Sequence, residues 1–326
     1  MVVNLLKNQK ELKMKNKILI IMLCLFGLQG FAQQDPQYSL YMFNPMSVNP
    51  GYAGSREVLS GVLIHRSQWV GLDGAPETQV LSVNSPLKNK KMGLGLQIIN
   101  DKIGAHTTQT FKATYAYRLK LGKGKLAFGL SGGIMRYNYD WAKVDYKDND
   151  DAVPELSPES FTLPTVDFGI YYNTNTMYIG FGAEHLNQAS YGFEQENNVS
   201  TGLNGGTNNN TAQQYINYTG TIGKAFVVNT NLVFKASVLF RLVEKTTSAD
   251  VNAGILIKNK IYFGASVRPT AIVGLTEINL TKYLRMGIAY DFERSDVASS
   301  TSGSFEIFLG YDLKLFKSKV TSPRYF

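Results

Sequence analysis

The chain has 326 residues, with 33 Lys and Arg against 25 Asp and Glu. Five of the lysines lie in the first 32 residues, and the remainder carries 28 basic and 24 acidic residues, a balance too even to predict a nucleic-acid-binding surface. The single cysteine, Cys24, lies in the same leader, so the rest of the chain has neither disulfides nor a thiolate metal site.

Residues 1–32 have the features of a secretory signal peptide. Lysines precede an apolar run over residues 18–28, and Gly30-Phe31-Ala32 has small residues at the positions that a signal peptidase recognises. The run is too short to span a bilayer. Met14 is the better start, so residues 1–13 are interpreted as an upstream extension. We therefore predict export of the chain.

Residues 33–55 precede the first strand-like run and contain two Asn-Pro steps, Asn44-Pro45 and Asn49-Pro50. Asn can cap a helix, and Pro is tolerated at the first helical position because no N–H donor is needed there. These steps predict one or two short helical turns. The turns carry aromatic side chains that need a surface to cover, namely Tyr38, Tyr41, Phe43 and Tyr52.

The following sequence, rich in Tyr and Phe, settles into about fourteen runs whose polarity alternates with period two. In one run Ile288 and Tyr290 fall on an apolar face opposite Arg285. Strands of this length with one uninterrupted apolar face are typical of an all-β transmembrane antiparallel barrel. A soluble β-sandwich or propeller is the alternative. We predict a barrel over residues 56–316 and a C-terminal tail over 317–326.

The connections between the runs favour the membrane barrel. They alternate short and long, and the two longest, residues 139–162 and 187–212, fall on the same end. Outer-membrane barrels combine short periplasmic turns with longer surface loops in this way. The short turns are also rich in lysine, and the 139–162 loop is acidic, which supports the same orientation weakly.

The first strand is apolar on both faces, at Val58, Leu59 and Val62 to Ile64. If one face meets lipid, the face toward the lumen needs another cover, and the aromatic segment lies next to it in sequence. We predict that residues 33–55 fold into the barrel as a plug. A disordered periplasmic tail is the alternative. The predicted plug residues are Tyr38, Tyr41, Phe43, Asn44, Pro45, Asn49, Pro50 and Tyr52.

Motifs for catalysis and metal binding are weak. The three histidines are scattered and predict no metal site. Residues 129–133 match the hydrolase pattern G-x-S-x-G, but the serine lies within a predicted strand rather than at a strand-to-helix turn. The match is therefore better explained by small residues that face the lumen than by a catalytic serine. Asp148, Asp150 and Asp151 could hold Ca²⁺, but they lack the EF-hand pattern, which favours a solvated loop. We expect no enzyme activity and no cofactor.

The opening stretch over residues 35–86 nevertheless has a specific pattern. It combines the two Asn-Pro steps with Gln68-Trp69 and Gly74-Ala75-Pro76. In this it closely resembles the PorP/SprF family of type IX secretion system membrane proteins, and a looser likeness continues through the last two strands. The resemblance implies an outer-membrane protein of a gliding or adhesive bacterium.

The resemblance also implies a function. One branch of the family associates with periplasmic components of the secretion machine. The other is paired with a large secreted cell-surface adhesin and helps to secrete or anchor it through its C-terminal sorting domain. The sequence leaves both branches open. For either, we expect a non-enzymatic docking barrel in outer-membrane lipid. The candidate partner-binding residues are Arg66, Gln68, Trp69, Gly74, Ala75, Pro76 and Thr78, which could equally serve only to fix the hairpin.

A transport channel for small or apolar solutes is the alternative function. In that hypothesis, charged side chains would line an open lumen. The candidates are Lys112, Arg118, Lys235, Arg241, Arg285 and Glu306. A lumen that conducts ions with a solute preference would favour the channel, and a filled lumen would favour docking.

Overall fold

The computed structural model describes residues 35–140, 159–192 and 211–315. The predicted signal peptide, Asp148, Asp150 and Asp151 of the acidic loop, and the predicted tail lie outside the described residues. The strands are β1 Leu59–Ser67, β2 Glu77–Pro86, β3 Met92–Ile103, β4 His106–Leu121, β5 Gly124–Tyr139, β6 Glu159–Asn173, β7 Met177–Glu184, β8 Ser190–Gly192, β9 Thr211–Gln213, β10 Asn217–Asn229, β11 Leu232–Val243, β12 Thr246–Ile257, β13 Ile261–Arg268, β14 Ala271–Asn279, β15 Leu284–Glu293 and β16 Ser304–Leu313.

Fourteen of the described strands close into one antiparallel barrel, which confirms the predicted fold. Strands that follow one another in sequence pair along the wall, except that β7 pairs with β10 across a separate small hairpin, β8–β9. The barrel closes where β1 pairs with β16, from Leu59 opposite Leu313 to Ser67 opposite Phe305. Closure leaves no free sheet edge in the wall, as a bilayer requires.

The alternation of polarity along the strands separates an outer face from an inner one. On β15 the side chains of Met286, Ile288, Tyr290 and Phe292 are exposed, by 37% to 58%. The intervening Asp291 is fully buried. The same alternation in the other long strands surrounds the barrel with an apolar belt that matches the hydrocarbon of a bilayer. No helix in the described ranges is long and apolar enough to cross a membrane.

The two ends of the barrel differ in their connections. At the turn end, β2 leads to β3, β4 to β5 and β6 to β7 through a few residues each. At the loop end lie the 68–76 connection, the 294–303 connection and the two longest loops. The predicted alternation of short and long is not strict, because residues 104–105, 244–245 and 269–270 make two-residue turns at the loop end as well. Gly104 and Glu244 adopt the left-handed conformation that such tight hairpins need.

Residues 35–57, called here the N-terminal segment, lie inside the barrel. All of them are described, and they form three short 3₁₀ helices, η1 Tyr41–Phe43, η2 Pro45–Ser47 and η3 Pro50–Tyr52. Proline opens η2 and η3, and Asn49 caps η3 by accepting the Gly51 N–H at 2.8 Å. Asn44 makes no cap; its side-chain amide instead donates to Ser82 Oγ on the wall at 3.0 Å.

Candidate functional site

A group of buried charges holds the beginning of the N-terminal segment to the wall. We call it the latch, and it consists of Ser39, Arg66, Arg268, Asp291 and Glu306. The two carboxylate oxygens of Glu306 accept the backbone N–H of Ser39 at 2.7 Å and of Leu40 at 3.0 Å. The Ser39 hydroxyl donates to Asp291 at 2.7 Å. One residue of the segment is thereby bound to two different strands.

The two arginines of the latch neutralise its carboxylates. Arg66 on β1 contacts Asp291 at 2.7 Å and Glu306 at 3.1 Å, and Arg268 on β13 also pairs with Asp291. Asp291 and Glu306 are completely buried, so each charge depends on these partners for its stability. Removing one charged member would leave its partners with less compensation for their buried charge. The latch is therefore strong only as a complete set.

A second polar group fastens the segment at its first described residue. Asp35 Oδ2 lies 2.9 Å from His185 Nε2, and His185 Nδ1 lies 3.1 Å from the Thr165 hydroxyl. Burial by itself lowers the pKa of His185, but the Asp35 carboxylate raises that pKa above its usual value. Burial likewise opposes ionisation of Asp35, yet His185 and then Lys112 hold its pKa well below the usual range. The raised pKa of His185 and the lowered pKa of Asp35 each favour the charged form, in which the two side chains bind each other as an ion pair.

Glycines in the wall make room for the backbone around η3. A Cβ on Gly129 would overlap the Gly51 nitrogen, and a Cβ on Gly169 would overlap Asn49 Oδ1. On Gly180 it would lie 2.7 Å from Asn49 Nδ2. Glycine permits this close approach of one backbone to another. We call these wall residues, together with Gly182 beside Val48, the glycine seat.

Asn49 joins the segment to the backbone of two wall strands. While its side-chain oxygen caps η3, its amide donates to the carbonyl oxygens of Ile170 at 2.9 Å and Phe181 at 3.1 Å. Every polar atom of the Asn49 side chain is thus used. Because Asn49 is only 2% exposed, its hydrogen bonds fix η3 in one position on β6 and β7.

Aromatic packing covers the inner face of β1. The Phe43 ring stacks on Phe308 with centroids 4.9 Å apart and meets Tyr262 edge to face at 5.9 Å. Val62 and Ile64 of β1 are buried in the same cluster. The apolar inner face of this strand therefore contacts the N-terminal segment rather than water, and its burial contributes through the hydrophobic effect.

The end of the segment is fastened at the turn end of the barrel. Arg56 pairs with Asp312 at 2.8 Å, and Glu57 pairs with Lys125 and, at 3.7 Å, with Lys90. Asp312 belongs to the last strand, Lys90 to a lysine-rich short turn, and Lys125 to the start of β5, just after another such turn. The segment is consequently bound by charge at both of its ends.

The predicted docking residues separate into two groups. Arg66 and Thr78 point into the barrel, where Arg66 belongs to the latch and the Thr78 hydroxyl donates to Asp101 at 2.6 Å. Residues 68–76 form the connection at the loop end, closed by the Gln68 N–H on the Pro76 oxygen at 2.9 Å. Trp69 is left-handed, with φ of 51°, and the following Val70 bonds to the 294–303 connection through Gly303 at 2.8 Å.

Several of the charged residues expected to line a channel have partners in the N-terminal segment or among other side chains of the wall. Arg285 pairs with Glu277 at 3.0 Å and Asp312 at 3.1 Å, and Arg118 bonds to the Gly54 oxygen of the segment. The six candidates are buried except Lys235, which is half-buried: Lys112, Arg118, Lys235, Arg241, Arg285 and Glu306. A cavity of about 40 Å³ remains near the loop end, lined in part by Asp35, Lys112 and Arg241.

Sequence reasoning missed Ser39, Asp291 and Arg268 of the latch, and it missed the glycine seat. One signal was available for the seat. Glycines at positions 180 and 182 lie on the same face of one strand, and a pair of glycines with that spacing indicates a close backbone approach. Ser131 of the G-x-S-x-G match is buried 3.0 Å from the Thr114 hydroxyl, within the wall.

Several solved structures share the barrel fold at low similarity. Omp33 of Acinetobacter baumannii is 9% identical, with 79% of this chain and 99% of that one covered and a TM-score of 0.45. The Ralstonia pickettii toluene transporter TbuX is 11% identical, with 82% and 92% covered and a TM-score of 0.47. The TodX monoaromatic hydrocarbon channel mutant is 12% identical, with 89% and 98% covered and a TM-score of 0.43. No curated protein matches the chain.

The family comparison is specific. The model of the type IX secretion system membrane protein PorP/SprF matches residues 30–311, which confirms the resemblance seen in the opening stretch. A closed barrel with an apolar outer belt is one of the two forms in which a protein spans a bilayer. The protein is thus an integral protein of the outer membrane. The chain belongs to the PorP/SprF family of type IX secretion system membrane proteins.

Proposed function

We propose that this protein is a non-enzymatic docking barrel that helps to secrete or anchor a large cell-surface adhesin by binding its C-terminal domain. The observation that carries the proposal is the filled lumen. The N-terminal segment is bound to the wall by the latch, the glycine seat and the ion pairs of Arg56 and Glu57. A barrel filled in this way offers its outer surfaces, rather than an open lumen, for interaction.

The proposed docking surface is the exposed part of the 68–76 connection. Val70, Gly71, Asp73 and Gly74 are exposed there, and the connection is held by hydrogen bonds rather than free to move. The Gly104 N–H donates to the Gly74 oxygen at 2.8 Å, and the Ser302 N–H donates to the Val70 oxygen at 2.8 Å. A surface loop supported at two points by other connections presents its residues in a defined shape, which lowers the entropic cost of binding.

A loop replacement tests the docking role. Replacing Leu72–Ala75 by a Gly/Ser stretch of equal length should abolish surface display of the adhesin and its co-purification with the detergent-solubilised barrel. The matched control replaces Lys88-Asn89, exposed residues at the turn end. Barrel folding is checked in both variants by resistance to unfolding in detergent at room temperature. Undiminished display in the loop variant would remove the 68–76 connection from the docking surface.

The channel hypothesis has its own measurement. If the lumen is sealed, the purified barrel in a planar bilayer should carry no steady, solute-selective current. A persistent current that a small or apolar solute blocks would favour transport over docking. For periplasmic components of the secretion machine, we infer contact at the turn end, where Lys123 and Lys260 are exposed.

A further inference from the structure

The course of the N-terminal segment through the barrel is unusual. Barrel strands are even in number, and a chain that begins and ends with them has both termini on the periplasmic side. Here β1 begins and β16 ends at the turn end, as expected. The residues before β1, however, do not stay at that end.

Contacts along the segment give its direction. Its first residue, Asp35, pairs with His185, which follows β7 at the loop end. Ser39 binds Glu306, the third residue of β16 from the loop end. Further on, the Gly54 N–H donates to Asn84 near the end of β2 at 3.0 Å, close to the turn end.

The last contacts of the segment lie at the opposite end from the first. Glu57 pairs with Lys125, the second residue of β5, which follows a short turn. Arg56 pairs with Asp312, one residue before the end of β16. The segment therefore runs from the loop end to the turn end, antiparallel to β1.

The ends can be assigned to the two sides of the membrane. Short turns face the periplasm and longer loops face the exterior in bacterial outer-membrane barrels. In this chain the longest connections, 140–158 and 185–216, both lie at the loop end. That end is accordingly the outer one.

We propose that the N-terminal segment crosses the outer membrane inside the barrel, from the cell surface to the periplasm, and that its amino-terminal end is displayed on the surface. The chain then crosses the membrane with the N-terminal segment in addition to the fourteen strands of the barrel. As a consequence, Asp35 and the end of β16 lie on opposite sides of the membrane. The surface of the protein then includes Asp35 beside the loops.

The segment is held in this direction by its side chains. The glycine seat admits Asn49 and Gly51 at one level of the wall only, and the latch accepts two successive N–H groups, of Ser39 and Leu40, at another. Reversing the segment would place Asn49 and the aromatic side chains against the wrong wall residues. The direction is therefore fixed by specific contacts, not only by space.

Single-cysteine labelling on whole cells tests the proposal. Cys24 is the only cysteine and lies in the predicted signal peptide, so one introduced thiol can be read without background. Gln37→Cys places it near the start of the segment, where Gln37 is half-buried. Asp73→Cys reports the outer end and Lys123→Cys the periplasmic end, both at exposed positions.

With a membrane-impermeant maleimide, Gln37→Cys and Asp73→Cys should be labelled on intact cells, and Lys123→Cys only after the outer membrane is permeabilised. Labelling of Gln37→Cys only after permeabilisation, with Asp73→Cys labelled on intact cells, would overturn the proposal. An epitope tag inserted between Gln34 and Asp35 gives a second measurement. Antibody binding to intact cells is expected, and binding only to lysed cells contradicts the proposed course.

Discussion

Glu306, in the last strand of the barrel, accepts the backbone N–H of Ser39 at 2.7 Å, although the two residues are 267 positions apart. This bond connects the segment that fills the barrel with the strand that closes it. The same carboxylate pairs with Arg66 of β1, the strand on the other side of the closure. Filling and closing the barrel are thus stabilised by one side chain.

The first prediction concerns that carboxylate. Glu306→Gln should lower the free energy of unfolding by roughly 3–5 kcal/mol, because Arg66 would lose one charged partner in a buried site. Urea unfolding of the barrel in lipid vesicles measures the change. Glu77→Gln, on an exposed carboxylate at the same end, is the control and should change stability by no more than about 0.5 kcal/mol. Equal effects of the two variants would contradict the role of the latch.

A second prediction addresses the glycine seat. Gly169→Ala should destabilise the barrel by about 1–3 kcal/mol, since the new methyl group would overlap the Asn49 side chain. It should also make the segment easier to cleave with a protease from the outside. In Gly132→Ala the methyl group meets nothing within 4 Å, so this variant should behave as wild type. A Gly169→Ala barrel with unchanged stability and protease resistance would argue against tight packing of η3.

The third prediction is a pH dependence. The pKa of His185 is raised in the folded protein, so its contribution to stability is complete below its unfolded pKa of about 6.5 and is lost as the pH rises through the raised value. The pKa of Asp35 is lowered, so its contribution is present above about 3.9 and is lost only as the pH falls through the lowered value.

The stability difference between wild type and His185→Gln, measured by urea unfolding, should therefore be larger at about pH 6 than at about pH 9. Asp35→Asn should remove most of this pH dependence, because His185 would lose its charged partner. His65→Gln is the matched control, since His65 lies 3.8 Å from the exposed Glu77 at the surface. A stability difference that grows with pH would show that His185 is not stabilised in its charged form.

A fourth prediction tests the lipid-facing belt. Ile288 is 51% exposed at the middle of β15, so Ile288→Arg should cost roughly 2–4 kcal/mol if the side chain meets lipid at mid-depth. Refolding into vesicles, followed by urea titration, provides the measurement. Val70→Arg, on an exposed side chain of the 68–76 connection, should leave the stability close to wild type. If both substitutions were neutral, the outer face of β15 would not be in hydrocarbon.

The strands could be predicted from the sequence because each one carries a local, repeated signal. Ile288 and its neighbours alternate with period two, and the need to bury one face while lipid covers the other leaves little choice of register. The limits of β10 were less predictable. This strand extends to Asn229 through an irregularity after Val227, at a point where apolar residues occupy both faces and the period-two alternation no longer marks an end.

The site was much less predictable, for a different reason. The first strand is apolar on both faces, and this composition alone indicated that another part of the chain covers its inner face. The latch depends instead on which strands become neighbours when the barrel closes. Arg66 and Glu306 are 240 positions apart, and no local pattern brings them together. Ser39 contributes both its backbone N–H and its hydroxyl to the latch, and no local sequence pattern marks either contact.

The covalent link between the N-terminal segment and β1 has a consequence for assembly. The glycine seat belongs to β5, β6 and β7, and the latch requires β13, β15 and β16. The segment can bind the glycine seat while the sheet is still open. Inserting it into a finished barrel would instead require its aromatic rings to pass the packed side chains of the lumen before either set of contacts could form. We expect the strands to close around a segment that is already bound to the glycine seat. Chains lacking β13 to β16 should then still protect the segment from protease, and barrel formation would be templated from within.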